Sequence, residues 1–498
     1  MDIRSRVRGV IFDLDGTLID SEPVYHESDI AFFKSKGISL SREEQLSFIG
    51  IGAESVIEKL RSRGLEGDTE TIVAEKDSVF LELSRGRTRV FPRVRELVRY
   101  LHVAGIPMAV ATSSRRRVLE VMLDESKLRP FFTVTVSSDD VEEPKPSPEV
   151  FLQVARRLEL DPAQCLVVED SRYGVTAAKA AGMRVVALPH EGVGADFSAA
   201  DLLFSGADAI DPAEVIRSFG LGIPPDELDS ERIARFGSLV YAVDKQTGRK
   251  MPWRTTDDPY RILVSEMMLH QTQVARVERC YAPFLDAFPT LQALAAASRD
   301  SVVRKWQGLG YNRRARYLHD CARAIVGRHG GRMPEATEDL VRLPGVGPYT
   351  AAAIQAFAFN MPVVMIETNI RRLFIYFFRP AAESIADREL VPLIQAAVDR
   401  SDTRRWYYAL MDYGSYLGSV LPNPNRRSAH YTRQSSFAGS VREVRGQVIR
   451  ALSQRGSLSM RELERAIGPT DDRLASALQA LETERLIVRD RDTISLAR

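Results

Sequence analysis

Over roughly its first 218 residues the chain alternates short apolar runs with helix-patterned stretches, and beyond a Gly/Pro-rich segment the alternation stops. The apolar, β-rich runs fall at residues 9–13, 108–111, 133–136, 165–168 and 185–188. Amphipathic stretches at 94–101, 150–158 and 175–181 lie between them. This order predicts an α/β fold of the Rossmann-like kind, a parallel sheet covered by helices, with sites at the carboxyl ends of the strands. The interval from about 23 to 88 reads as helices alone, an insertion after the first strand placed to cap such a site.

A chain of 498 residues exceeds what one hydrophobic core serves, so two to four domains are expected. The net charge of +1 conceals a split, because the acidic excess lies before residue 220 and the basic excess after it. Within the second part, most of the basic excess precedes residue 440. Three scattered cysteines, Cys165, Cys280 and Cys321, are too few for a disulfide framework or a four-thiolate site and suit a reducing cytoplasm. No secretory leader, membrane-length apolar run, repeat or low-complexity tract is visible.

Polar residues gather at the predicted strand ends of the first part. The first strand ends in Asp13-Leu14-Asp15-Gly16-Thr17 and the second in Thr112-Ser113-Ser114. Lys145 follows in Glu143-Pro144-Lys145-Pro146, and a later strand delivers Glu169-Asp170. A lone Asp-x-Asp is commonly a polar loop, but four such elements in order suit phosphoryl transfer. One carboxylate can be the nucleophile, and a second two residues on a general acid and base. A hydroxyl and an ammonium can hold phosphoryl oxygens, and paired carboxylates can hold Mg²⁺.

The set resembles the haloacid dehalogenase-like (HAD) phosphatases with a helical cap after the first strand. That resemblance implies Asp13 as the phosphorylated nucleophile and Asp15 as acid/base. It implies Thr112, Ser113 and Lys145 on the phosphate, and Glu169 and Asp170, with Asp13 and Asp15, on Mg²⁺. Phosphoglucomutases of this group carry an Arg in the cap where Ile49-Gly50-Ile51-Gly52-Ala53 here has Ala, so a phosphatase is implied.

Residues 219–229 read as a linker, and helical periodicity dominates from 230 to about 437. In Leu343-Pro-Gly-Val-Gly-Pro-Tyr-Thr a helix meets a Gly-rich turn. Gly345 and Gly347 let backbone N–H groups and the next helix's N-terminus face a nucleic-acid phosphate, although an ordinary helix–turn–helix connection has the same pattern. Glu266 is set among apolar residues on nearly every side of its helix, so its carboxyl should be desolvated and able to serve as a general acid. A Glu reaching solvent from a half-exposed helix is the plainer alternative. Gly308-Leu-Gly-Tyr311-Asn-Arg-Arg-Ala-Arg316 sets an aromatic beside three arginines, suited to a wedge between bases with phosphate contacts, or to a solvated basic helix start.

Together with Met251-Pro-Trp-Arg254, Ser265-Glu-Met-Met-Leu-His-Gln-Thr-Gln273 and Ile366-Glu-Thr-Asn-Ile370, these residues resemble the helix-hairpin-helix glycosylases, most closely the MutY-type adenine DNA glycosylases. The resemblance implies double-stranded DNA with mispaired or damaged bases as partner and a flipped-out adenine that Glu266 protonates. Gln271 and Tyr311 would fill or wedge the opened stack. Tyr349 stands where related glycosylase-lyases carry a nucleophilic Lys, so base removal without strand cleavage is implied.

Three departures stand out. The family's catalytic Asp falls at Glu367, one methylene longer, with Asn369 matching the residue that supports this carboxylate. The stretch 414–428, where the family's iron–sulfur motif would lie, has no Cys, so no iron–sulfur cluster is expected. No counterpart of the family's Nudix-like domain is expected within this sequence, which leaves specificity opposite 8-oxoguanine open.

Residues 438–498 read as three helices and a hairpin, a winged-helix-like tail with Ser459 and Thr470 as N-caps. Carboxylates on its third helix, Asp471, Asp472, Glu482 and Glu484, favour packing over groove reading. The expectation is therefore a cytoplasmic fusion of a Mg²⁺-dependent phosphomonoesterase with an adenine-type glycosylase. Its rivals are a lesion sensor without excision and a metabolic phosphatase tethered to DNA.

Overall fold

The computed structural model describes residues 6–41, 44, 48, 53–190, 196–222, 229–432, 437–468 and 472–497. The cap turn at 49–52, the linker segment 223–228, and Thr470 and Asp471 of the tail lie outside the described residues. The chain divides into two compact units. One comprises Met1–Ala242, Arg372–Ile385 and Gly414–Arg427, and the other Val243–Arg371, Ala386–Tyr413 and Ser428–Arg498.

The first unit is built on a six-stranded sheet. Its strands are β1 (Gly9–Phe12), β2 (Met108–Ala111), β3 (Val134–Val136), β4 (Cys165–Glu169), β5 (Arg184–Ala187) and β6 (Leu202–Leu203). They run in the order β3-β2-β1-β4-β5-β6, every neighbouring pair parallel. Helices cover the sheet, and β1, β2 and β4 are buried throughout, which is why they read as unbroken apolar runs. The chain winds outward from β1 through β2 and β3, then crosses to β4. The switch point, where crevices open in such sheets, therefore falls between β1 and β4, with Asp13 just past the end of β1 and Glu169-Asp170 at the end of β4.

The helices Arg116–Glu125 and Pro212–Ser218 and a sixth strand add to the elements read from the sequence. In the helix Arg116–Glu125 the N-cap Arg115 and the first residues Arg116 and Arg117 mask an apolar face of Val118, Leu119, Met122 and Leu123. Strand β6 is only two residues long. The expected all-helical interval holds Glu22–Ser35, Ala53–Arg61 and Thr69–Ser84. Phe32, Phe33, Val56, Ile57, Ile72 and Val73 give it an apolar core of its own.

In the same unit the helix Pro92–Ala104 packs against residues 372–385 and 414–427. The Tyr376 hydroxyl donates to the Glu96 carbonyl at 2.9 Å, the Tyr100 and Tyr376 rings meet edge-on at 5.9 Å, and Arg93 Nε donates to the Val420 carbonyl at 3.0 Å. Phe236 sits among Phe374, Phe377 and Phe378.

The second unit is helical up to the tail. A buried carboxylate, Asp412, ties its first segment down by accepting from Arg249 Nε at 2.7 Å and from both Arg254 Nη atoms at 2.7 and 2.9 Å. The tail folds as Val441–Arg455, Met460–Ile467 and Arg473–Thr483 with an antiparallel sheet of β7 (Leu458–Ser459), β9 (Thr493–Leu496) and β8 (Ile487–Asp490). Ser459 caps its helix reciprocally with Glu462. Val444, Val448 and Ile449 share one apolar core with Val302, Val303, Trp306 and Leu309, so the tail packs onto the helices before it.

Candidate active sites

In the first unit, Asp13 directly follows β1 and is joined by Lys145 from a loop and by Glu169 from the end of β4. Lys145 Nζ donates to Asp13 Oδ1 at 2.6 Å, to Glu169 Oε1 at 2.8 Å and to the Ala111 carbonyl at 3.2 Å. Carboxylate oxygens of Asp13, Glu169 and Asp170 lie within 4.8 Å of one another, all three residues buried. Thr17 Oγ1 donates to Asp170 at 3.2 Å. Asp15 stands outside that cluster. Its Oδ2 accepts from Ser114 Oγ at 2.6 Å, and the Ser114 N–H in turn donates to Thr112 Oγ1 at 3.0 Å. The expected groups meet here with one correction: Asp15, expected on the metal with the other three, is not among the clustered carboxylates and accepts from a hydroxyl instead.

Burial dominates the electrostatics. It lifts Asp13 to about 8, with the Glu169 and Asp15 charges adding and Lys145 opposing. Burial followed by the Glu169 charge lifts Asp170 well above the carboxylate range. Burial alone would lower Lys145, but Asp13 and Glu169 outweigh it and its pKa rises. One ammonium thus serves a cluster holding three carboxyl groups, a set short of positive charge and rich in hard oxygen donors.

A cavity of about 180 Å³ opens over these groups, lined by Thr112, Ser113 and Arg115 and, from the cap, by Tyr25, His26 and Lys76. The cap residues were not legible in sequence. Tyr25 occupies a helix position like any other aromatic, yet its hydroxyl meets Ser114 Oγ at 3.1 Å and its ring stacks on Phe80 at 3.9 Å. Lys76, buried in a helix, pairs with Asp29 at 2.8 Å.

In the second unit Glu266 is 5% exposed on the helix Pro259–Leu269. Burial lifts its pKa to about 7. A hydrogen bond from Tyr349 opposes the shift, the Glu367 charge adds to it, and Arg254 opposes it. Tyr349 is the second residue of the helix Pro348–Phe359. Burial, then Glu266 and Glu367, hold its phenol well above its usual value, so it acts as a donor. Arg254, already paired with Asp412, lies over the Tyr408 ring at 4.5 Å.

Glu367 takes a position that sequence alone did not show. Its Oε1 accepts the backbone N–H of Asn369 at 2.7 Å and of Ile370 at 2.9 Å, and its Oε2 accepts from Asn369 Nδ2 at 3.3 Å. It caps the start of Thr368–Phe378.

The proposed wedge residues share an unusual backbone. Gln271 and Tyr311 have φ of +53° and +46°, left-handed values that cost an L-residue of this size about 1–2 kcal/mol. Arg314 holds both loops from inside, donating to the carbonyls of Met267, Met268 and His270 on one side and of Leu309 and Gly310 on the other. This corrects the reading of three phosphate-facing arginines. Arg314 is buried and Arg316 donates to the Glu484 carbonyl at 2.5 Å, which leaves Arg313 exposed. In the hairpin, Gly345 has φ +77°, and a Cβ there would sit 2.6 Å from Tyr317 Cβ. At Gly347, by contrast, φ is −92° and a Cβ would meet nothing within 4 Å.

Residues 10–188 match the haloacid dehalogenase-like hydrolases, and residues 264–392 the HhH-GPD superfamily of base excision DNA repair proteins. Over 269 residues the chain is 32% identical to an adenine DNA glycosylase of Mycobacterium tuberculosis, covering 50% of this chain and 88% of that protein. The adenine DNA glycosylase of Mycolicibacterium smegmatis is 34% identical over 221 residues, 41% of this chain and 75% of that protein. The chain belongs to the adenine DNA glycosylase family, fused to a haloacid dehalogenase-like hydrolase. Among solved structures, CbbY from Rhodobacter sphaeroides in complex with xylulose-(1,5)bisphosphate is 28% identical, with a TM-score of 0.38, over 40% of this chain and 95% of that one. Both parts are hydrolases by family. No helix among the described residues is long and apolar enough to cross a membrane.

Proposed function

We propose that residues 230–437 excise adenine from mispairs with G or 8-oxoguanine in double-stranded DNA, without cutting the strand, and that residues 1–218 hydrolyse a phosphomonoester with Mg²⁺. The observation that carries the first activity is the Glu266 carboxyl, buried, held near neutral pKa and hydrogen-bonded by Tyr349. Such a group is half protonated at neutral pH and can deliver its proton to a flipped adenine. The Glu367 carboxylate, whose charge adds to that shift and which Asn369 supports, would favour an oxocarbenium-like transition state. Gln271 and Tyr311 fill the opened stack, and the backbone of Gly345 and Gly347 takes a phosphate.

In the hydrolase, Asp13 attacks phosphorus, Asp15 exchanges the proton with leaving group and water, and Thr112, Ser113 and Lys145 hold phosphoryl oxygens. Mg²⁺ fits the three-carboxyl cluster of Asp13, Glu169 and Asp170, whose charge Lys145 alone does not balance. When bound, it would neutralise charge on the transferring phosphoryl group.

A duplex bearing adenine opposite G or 8-oxoguanine, incubated with protein and then alkali, tests the first activity. Cleavage that Glu266→Gln abolishes is expected. One observation favours a second reading, a lesion sensor: the Glu367 carboxylate is engaged by backbone N–H groups at the start of its helix. Tight binding with no alkali-labile product would establish that reading and sink excision.

A further inference from the structure

The hydroxyl of Tyr311 accepts a hydrogen bond from Arg442 Nη1 at 3.0 Å, and Arg442 belongs to the first helix of the tail. Three other contacts tie the same loop region to the tail. Gln307 Nε2 donates to Ser453 Oγ at 3.1 Å, Arg304 Nη1 donates to the Ser453 carbonyl, and Arg316 Nη1 to the Glu484 carbonyl at 2.5 Å. Beneath them runs the shared apolar core of Trp306 and Leu309 with Val448 and Ile449.

The loop needs this support. Gly308, Gly310 and Tyr311 all have positive φ, and glycine adopts it freely whereas tyrosine does not. A wedge also works only if its ring is already aimed, because ordering it during insertion would subtract from the energy available for unstacking bases. In the tail, Glu484 pairs with Arg445 and Glu482 with Arg489. The first helix of the tail, through Arg442, reaches the wedge.

We propose that the winged-helix-like tail is a scaffold for DNA opening, in which Arg442 is a positioning residue that aims the Tyr311 ring. The inference rests on the excision reading for its consequence but not for its geometry. If Arg442 aims the ring, Arg442→Gln slows single-turnover excision of adenine opposite G about tenfold, the worth of one charge-assisted hydrogen bond. Tyr311→Phe slows it similarly, and the double variant is no slower than either. Arg442→Lys, which keeps a donor, recovers part of the loss. The dependence of duplex affinity on salt stays unchanged in Arg442→Gln. A slope reduced by about one would instead make Arg442 a direct phosphate contact and overturn the proposal, as would wild-type excision by the variant. An arm without DNA separates this from failure of the excision reading. With 3-fluorotyrosine at position 311, the ¹⁹F resonance is expected to move toward that of the free amino acid in Arg442→Gln. A resonance that does not move rejects the positioning role whatever the protein does to adenine.

Discussion

Tyr349 donates a hydrogen bond to the carboxyl of Glu266, and that bond opposes the burial that lifts the carboxyl to about 7. The consequence for Tyr349→Phe runs against simple loss. Removing a donor that favours the carboxylate raises the pKa of Glu266 further. A general acid works while protonated, so excision by the parent protein declines as pH rises through about 7. In Tyr349→Phe the alkaline limb moves upward, by about one pH unit or less. Single-turnover rates between pH 5 and 9 check this, and a limb that stays put or moves down would exclude the bond as a tuning contact.

The same carboxyl links activity to stability. Its folded pKa lies above the unfolded value near 4.5, so the native state binds the extra proton and stability falls as pH rises from about 4.5 through about 7. Above pH 7 the burial of the ionised group costs up to about 3 kcal/mol. Glu266→Gln removes that cost, so its Tm should exceed the parent's at pH 8 and approach it at pH 5. Equal Tm differences at both pH values would mean that the shift is not expressed in folding.

Glu367 serves as a cap, and capping tolerates a shorter carboxylate. Glu367→Asp should therefore hold stability within about 0.5 kcal/mol, and Glu367→Ala should lose about 1 kcal/mol, the usual worth of an N-cap. If the extra methylene limits excision, Glu367→Asp is faster than the parent in the alkali assay. Denaturant titration and excision rates, measured on both variants, separate the two roles of the side chain.

In the hydrolase unit Lys145 bridges Asp13 and Glu169. Lys145→Met leaves two buried carboxyl groups without their cation, which pushes Asp13 above its present value of about 8. Hydrolysis of p-nitrophenyl phosphate should fall by about 10²-fold or more. Adenine excision by the same preparation should be unaffected, and a parallel loss of both would indicate unfolding.

Much of this architecture was readable because buried strands and amphipathic helices leave periodic traces. The strands ending at Asp13, Thr112 and Glu169 announced themselves as apolar runs followed by polar residues. What stayed hidden depends on contacts between residues distant in the chain. Arg314 reads as one of three exposed arginines, yet it is the buried donor to two loops, and only the fold brings residues 267–270 beneath it. Glu367 reads as a catalytic substitution, and its capping bonds require knowing where the helix Thr368–Phe378 begins. Tyr25 and Lys76 reach their cavity from a cap whose helices carry no motif.

The two hairpin glycines make opposite predictions. Gly345 has φ +77°, and an added Cβ would collide with Tyr317 Cβ at 2.6 Å and crowd Met267 at 3.0 Å. Gly345→Ala should therefore destabilise the unit by about 2 kcal/mol or more, because strain and overpacking add. Gly347 has an ordinary φ of −92° and open space around its Cβ position, so Gly347→Ala should change stability by less than about 0.5 kcal/mol. Nothing among the described residues requires glycine there. On the proposed function, a duplex phosphate would approach the N–H groups that begin Pro348–Phe359 through that space. Gly347→Ala should weaken duplex affinity severalfold with Tm unchanged, and Gly345→Ala should lower Tm first. If Gly347→Ala bound DNA as the parent does, the hairpin would not be holding a phosphate at this position.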